Sequence, residues 1–95
     1  NDSAQLKVLD IITNKYKNKK WSELNEIEED GEKYYYQYDA ARFWVEVQVD
    51  RNIKGILRIC ISIEPDKCLG WTKGRAKYFG MTEDGKLVEN KNMFF

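Results

Sequence analysis

Two stretches decide the fold: Arg42-Phe43-Trp44-Val45-Glu46-Val47-Gln48-Val49-Asp50 and, shortly after it, Ile56-Leu57-Arg58-Ile59-Cys60-Ile61-Ser62-Ile63-Glu64. In the first, Phe43, Val45, Val47 and Val49 fall on one side of an extended chain, and Arg42, Trp44, Glu46, Gln48 and Asp50 on the other. In the second, Leu57, Ile59, Ile61 and Ile63 alternate with Ile56, Arg58, Cys60, Ser62 and Glu64. A period of two is the pattern of strands with one apolar and one wet face, as in antiparallel sheets. A connection around Asn52 to Gly55 makes the two a hairpin.

Working upstream, Tyr34 to Tyr38 reads as a strand joined to the first stretch by a short loop at Asp39 to Ala41. Before it, Asp30-Gly31 is a hairpin signal, because the favoured two-residue turn needs positive φ. Trp21 to Glu28 is therefore expected as a weaker strand with Leu24 and Ile27 as its apolar points. Residues 3 to 20 read as the sole helix. Asp2 and Gln5 have capping-box spacing, and Ala4, Val8, Leu9, Ile11, Ile12 and Tyr16 share an arc at about 100° per residue. Lys7, Asp10, Asn14 and Lys17 lie opposite that arc, and Lys15, Lys17, Lys19 and Lys20 suit the negative end of a helix dipole.

Downstream, Gly70, Gly74 and Gly80 loosen a region containing Trp71, Tyr78 and Phe79. Asp84-Gly85 then marks a hairpin that sets Glu83 opposite Lys86 and Thr82 opposite Leu87. The expected fold is a single α+β domain over residues 1–95, with one N-terminal helix packed across a five- to six-stranded antiparallel meander sheet.

Bulk composition narrows the function classes. Sixteen basic and sixteen acidic residues cancel, so no global field attracts nucleic acid or anionic lipid. No apolar run approaches the length a membrane span requires, about 18 residues. The chain has no histidine, which removes the commonest general base, the commonest zinc ligand and every Ser-His or Cys-His pair. No cofactor is implied.

Cys60 and Cys68 are the two cysteines. A tight turn at Pro65-Asp66 would put Ile63 opposite Cys68 and Cys60 opposite Trp71. The thiols would then start roughly 10 Å apart, beyond the reach of about 7 Å between Cα atoms that a disulfide tolerates. Free thiols and a cytoplasmic setting follow from that reading, and a wider loop would reverse it. The start at Asn1, without Met, is read as a removed targeting segment or lost flanking protein. The ending Met93-Phe94-Phe95 is read as a docked terminal strand or a cut domain.

Three constellations carry functional expectations. Trp44 on the polar side of the first strong strand, with Glu46 beside it and Arg58 and Tyr35 expected nearby, is a candidate protein interface, since Trp, Tyr and Arg anchor interfaces most often. Residues 23 to 32 hold Glu23, Glu26, Glu28, Glu29, Asp30 and Glu32 with no basic residue. That strip is a solvated, self-repelling edge or a docking site for a basic partner, with Glu28, Glu29 and Asp30 as its centre. Tyr34, Tyr36 and Tyr38 form a stripe. Turned outward with Trp44, Lys73, Arg75 and Lys77, they would make a stacking platform for single-stranded nucleic acid or a small ligand; turned inward they are core margin.

A loose metal-nuclease outline, Asp66 with Glu89-x-Lys91, is weak because such triplets arise by chance in a highly charged chain. The reading that results is a small non-catalytic protein-binding module of inhibitor, immunity or accessory type, using an exposed sheet face and an acidic strip. A homodimer through an edge such as Leu87 to Phe95 is a further option.

Overall fold

β2 (Ala41–Asp50) and β3 (Ile56–Pro65) form the centre of the computed structural model, which describes residues 2–66 and 74–89. β1 (Glu32–Tyr38), β4 (Arg75–Thr82) and β5 (Leu87–Val88) complete one sheet, ordered β1-β2-β3-β4-β5 with every neighbour antiparallel. Helix α1 (Asp2–Lys17) lies over one face of this meander. The α+β arrangement expected from the alternating stretches is the one observed.

The helix-side face carries the core. Phe43, Val45, Val47, Leu57, Ile59, Ile61 and Ile63 are buried there, joined by Phe79 and Met81 of β4. From α1 come Val8, Leu9, Ile12 and Tyr16. Two polar side chains share that arc. Gln5 is buried and its Nε2 donates to the Ile63 carbonyl at 3.0 Å, pinning the start of α1 to the end of β3. Thr13 is buried as well. Ile11, expected inside, is 41% exposed. The buried arc is centred near Gln5, Ile12 and Tyr16, so at about 100° per residue Ile11 lies beyond its border.

Residues 18 to 28 correct the expected strand. Lys20 is extended, and a second helix, α2 (Trp21–Asn25), follows it. The Glu23 carboxylate accepts the Lys20 N–H at 2.9 Å, satisfying an N-terminal donor. The apolar points Trp21, Leu24 and Ile27 are spaced by three, a helical interval that a strand cannot turn to one face. Leu24 and Ile27 are accordingly both buried. The sole-helix expectation therefore fails, and Asp30-Gly31 is not a hairpin. It is a turn leading from α2 into β1, with Gly31 at φ 77° and its N–H on the Glu28 carbonyl.

Arg51 locks this corner. Its guanidinium donates to the carbonyls of Asn25 at 2.8 Å and Ile27 at 2.6 Å, acceptors left at and just beyond the end of α2.

The last hairpin also differs in register. Met81 pairs with Leu87 and Gly80 with Val88, so Thr82 meets Lys86 across a three-residue turn. Gly85 at φ 90° supplies the left-handed residue that a three-residue turn requires, a conformation Asp84 need not adopt. Beyond β5 only Glu89 is described, so a terminal strand through Phe95 lies outside the described residues, as do Cys68, Trp71, Lys73 and Lys91.

Candidate functional site

Cross-strand partners share a face, so the register defines the side of the sheet opposite the helix. Tyr35, Trp44 and Glu64 form one row across β1, β2 and β3. Lys33, Glu46, Ser62 and Ala76 form the next, then Gln48, Cys60 and Tyr78, then Asp50, Arg58 and Gly80.

The first row is the most organised. Tyr35 is 52% exposed and meets Trp44 edge-on, with ring centroids 4.8 Å apart and planes at 61°. The Arg42 guanidinium lies over the Tyr35 ring, 4.3 Å from its centroid. Arg42 is itself held by Asp66, whose Oδ2 accepts from its Nε at 2.8 Å and its Nη2 at 2.6 Å. The result is a layered Asp66–Arg42–Tyr35–Trp44 cluster. Its side chains have already lost rotamer freedom, which reduces what a partner must spend on ordering them. Arg42 was missed as a site residue in the sequence, although its spacing of two from Trp44 on a strand places both on one face.

Arg58 is not part of this cluster. It pairs with Asp50 as a direct cross-strand partner and ion pair. Trp44 and Asp50 are six residues apart on β2, roughly 20 Å at strand rise. The expectation that Arg58 stands near Trp44 is therefore corrected by the register. Glu46 sits between Lys33 and Ser62, two residues from Trp44 on the same face.

Glu28, Glu29 and Asp30 are exposed in the turn before β1, five or more residues from Tyr35. They form a separate acidic corner. Glu23 and Glu32 do not belong to it functionally, because Glu23 caps α2 and Glu32 accepts the Tyr16 hydroxyl.

The tyrosine stripe points inward. Tyr34, Tyr36 and Tyr38 pack against the core, opposite Val45, Phe43 and Ala41. Trp44 faces the other way, and Arg75 and Lys77 pair with Ile63 and Ile61 on the helix side. Lys77 is bound to Asp10 of α1. The platform residues are thus divided between two faces and two edges of the sheet.

An open concavity of about 490 Å³ adjoins the stripe, lined by Lys15, Tyr16, Lys19, Glu32, Lys33 and Tyr34. Burial, reinforced by the bond to Glu32, pushes the Tyr16 phenol far above its usual range. Burial also raises Tyr34. These phenols are protonated donors and not bases. A second concavity of about 650 Å³ lies between the α1–α2 junction and the β4–β5 turn, with Lys19, Lys20, Glu83 and Asp84 mixing both signs at its rim.

Cys60 is half-buried opposite Tyr78 and hydrogen-bonded to it. Burial pushes its thiol up, the opposite of an activated nucleophile. Its pairing with Cys68 falls outside the described residues.

Asp66 is engaged with Arg42 at the end of β3, whereas Glu89 pairs with Lys17 at the end of α1. These two acids of the nuclease outline do not converge. Among the described residues, no group of three His, Cys, Asp or Glu side chains gathers to hold a metal ion. No helix among them is long and apolar enough to cross a membrane. No family model matches this chain, and no curated protein or solved structure is significantly similar to it.

Proposed function

We propose that this chain is a small protein-binding module that recognises another protein through the helix-free side of its sheet. The observation that carries the reading is the Arg42–Tyr35–Trp44 cluster, with Tyr35 and Arg42 exposed, Trp44 half-buried beside them, and Arg42 held by Asp66. Tyr, Trp and Arg supply most interface hot spots because they combine apolar area with a polar tip. Exposed Tyr78 extends the same face across β4. The acidic corner at Glu28, Glu29 and Asp30 would act at a distance, steering a basic partner more than binding it.

The absence of histidine and the inert Cys60 support a non-catalytic role. The division of Tyr34, Tyr36 and Tyr38 from Trp44 favours protein over single-stranded nucleic acid.

The test is capture from a lysate of the source organism with the wild type, Trp44→Ala and Arg42→Ala, followed by affinity measurement with the purified prey. Loss of a hot-spot anchor costs about 2 kcal/mol, or roughly 30-fold in Kd. A prey bound equally by all three proteins would refute the sheet-face assignment. Retention of nucleic acid alone, released by salt, would favour the single-strand reading instead.

A further inference from the structure

We infer that the free edge of β1 pairs antiparallel with β1 of a second copy of this chain, about a two-fold axis at Tyr35, to join two five-stranded sheets into one. β1 is an end strand, and among the described residues nothing pairs along its outer edge. The two-residue turn at Asp39-Ala40 closes on Tyr38 and Ala41. Hydrogen bonding alternates along an antiparallel strand, so Tyr34, Tyr36 and Tyr38 bond to β2. The N–H and C=O groups of Lys33, Tyr35 and Gln37 then point away from the sheet.

Natural edges are usually blunted by proline, a bulge, brevity or charged side chains, lysine above all. β1 has no proline, bulge or shortening: its register with β2 runs unbroken from Glu32 to Tyr38, and its charged residues are confined to Glu32 and Lys33 at one end. The opposite end of the sheet differs, since β5 has two residues.

The occupant follows from the sequence of the edge itself. With Tyr35 on the axis, Lys33 meets Gln37 of the second copy, Tyr34 meets Tyr36, and Glu32 meets Tyr38. All seven residues of β1 pair, and the outward groups form about six backbone hydrogen bonds. A shift of two residues one way draws Gly31, at φ 77°, into the ladder; the other way shortens it at the Asp39 turn. An axis at Lys33 would oppose two ammonium groups, which is destabilising.

In the Tyr35 register no like charges lie directly opposite. Lys33 is diagonal to Asp39 of the second copy, an attraction that offsets the approach of Asp39 to Asp30. The two acidic corners lie at opposite ends of the shared ladder. Pairing also covers Tyr35 on one face and the half-buried Tyr34, Tyr36 and Tyr38 on the other.

The experiment is the molar mass of the purified protein by sedimentation equilibrium across a concentration series, with Tyr35→Lys and Tyr35→Glu variants. Because the Tyr35 side chain is exposed, circular dichroism and thermal unfolding should show both variants folded. The expected result is a concentration-dependent dimer for the wild type and a monomer for each variant, since like charges meet at the axis. An equimolar mixture of the two variants should restore the dimer, because Lys then faces Glu. A wild type still monomeric near millimolar concentration would overturn the proposal, whether another protein's strand takes the edge or none does. So would a dimer that survives both substitutions, or folded monomeric variants whose mixture stays monomeric.

Discussion

Ile11 and Ile12 are adjacent, chemically identical and both expected inside from the helical arc, yet Ile11 is 41% exposed and Ile12 is 1%. Substituting each with alanine therefore isolates burial from residue type. For Ile12→Ala the lost transfer energy and the cavity left among the surrounding core side chains predict a cost of about 2–5 kcal/mol. For Ile11→Ala a partial loss of apolar contact opposes a gain in helix propensity of a few tenths of a kcal/mol. The net change should stay within about 0.5 kcal/mol, as for most surface substitutions. Urea unfolding followed by circular dichroism reads both. With a slope of about 1–1.5 kcal/mol per molar urea for a chain of this size, Ile12→Ala should lower the midpoint by roughly 3 M. Ile11→Ala should leave it nearly unchanged, and the slope should be the same for all three proteins. Equal midpoint losses for the two variants would refute the assigned rotation of α1 on the sheet.

Gly31 and Gly55 share φ 77° but differ in surroundings, because a Cβ at Gly31 would clash with the Val47 carbonyl oxygen while Gly55 has open space. Gly55→Ala should cost only the left-handed penalty, about 1–2 kcal/mol, and Gly31→Ala distinctly more; equal urea midpoints would contradict the close approach of β2. Tyr16 also makes stability depend on alkaline pH. Its folded pKa is raised, so the unfolded chain ionises near pH 10 while the folded protein keeps the proton. The stabilisation is therefore full below about pH 10 and should fall above it by up to about 1.4 kcal/mol per pH unit. Thermal unfolding between pH 9 and 11, as an approximate window around that ordinary pKa, should show a steeper loss for wild type than for Tyr16→Phe, and parallel curves would exclude a buried phenol at this position.

The two faces of the sheet divide the work of the chain. The helix side carries the isoleucine and valine rows that hold α1, and two of its polar side chains are tied down, Gln5 on Ile63 and Tyr16 on Glu32. The other side carries ion pairs at two places, Asp50 with Arg58 and Arg42 with Asp66, with the aromatic pair beside the second. Ion pairs near a surface contribute little to stability, typically below about 1 kcal/mol. Their consequence here is positional: Asp66 holds Arg42 over Tyr35.

The sequence by itself determined the strands β2 and β3, their inward rows and the meander, because a period of two over a long run has one way to bury its apolar half. The direction of the tyrosine stripe stayed open until the structure placed it against the core. The sequence misassigned residues 21 to 28, where Leu24 and Ile27 were read as the apolar points of a strand without Trp21 three residues before them, and a single Gly signal was read as a hairpin. Tertiary structure decided what a local pattern cannot encode. Which isoleucine of α1 faces the sheet depends on how Gln5 and Tyr16 anchor the helix at β3 and β1. The separation of Arg58 from Trp44, and the partnership of Trp44 with Tyr35 and Arg42, depend on register across three strands. Side chains far apart in sequence become neighbours only when two hairpins fix their offsets, and each offset is set by the residues of its turn.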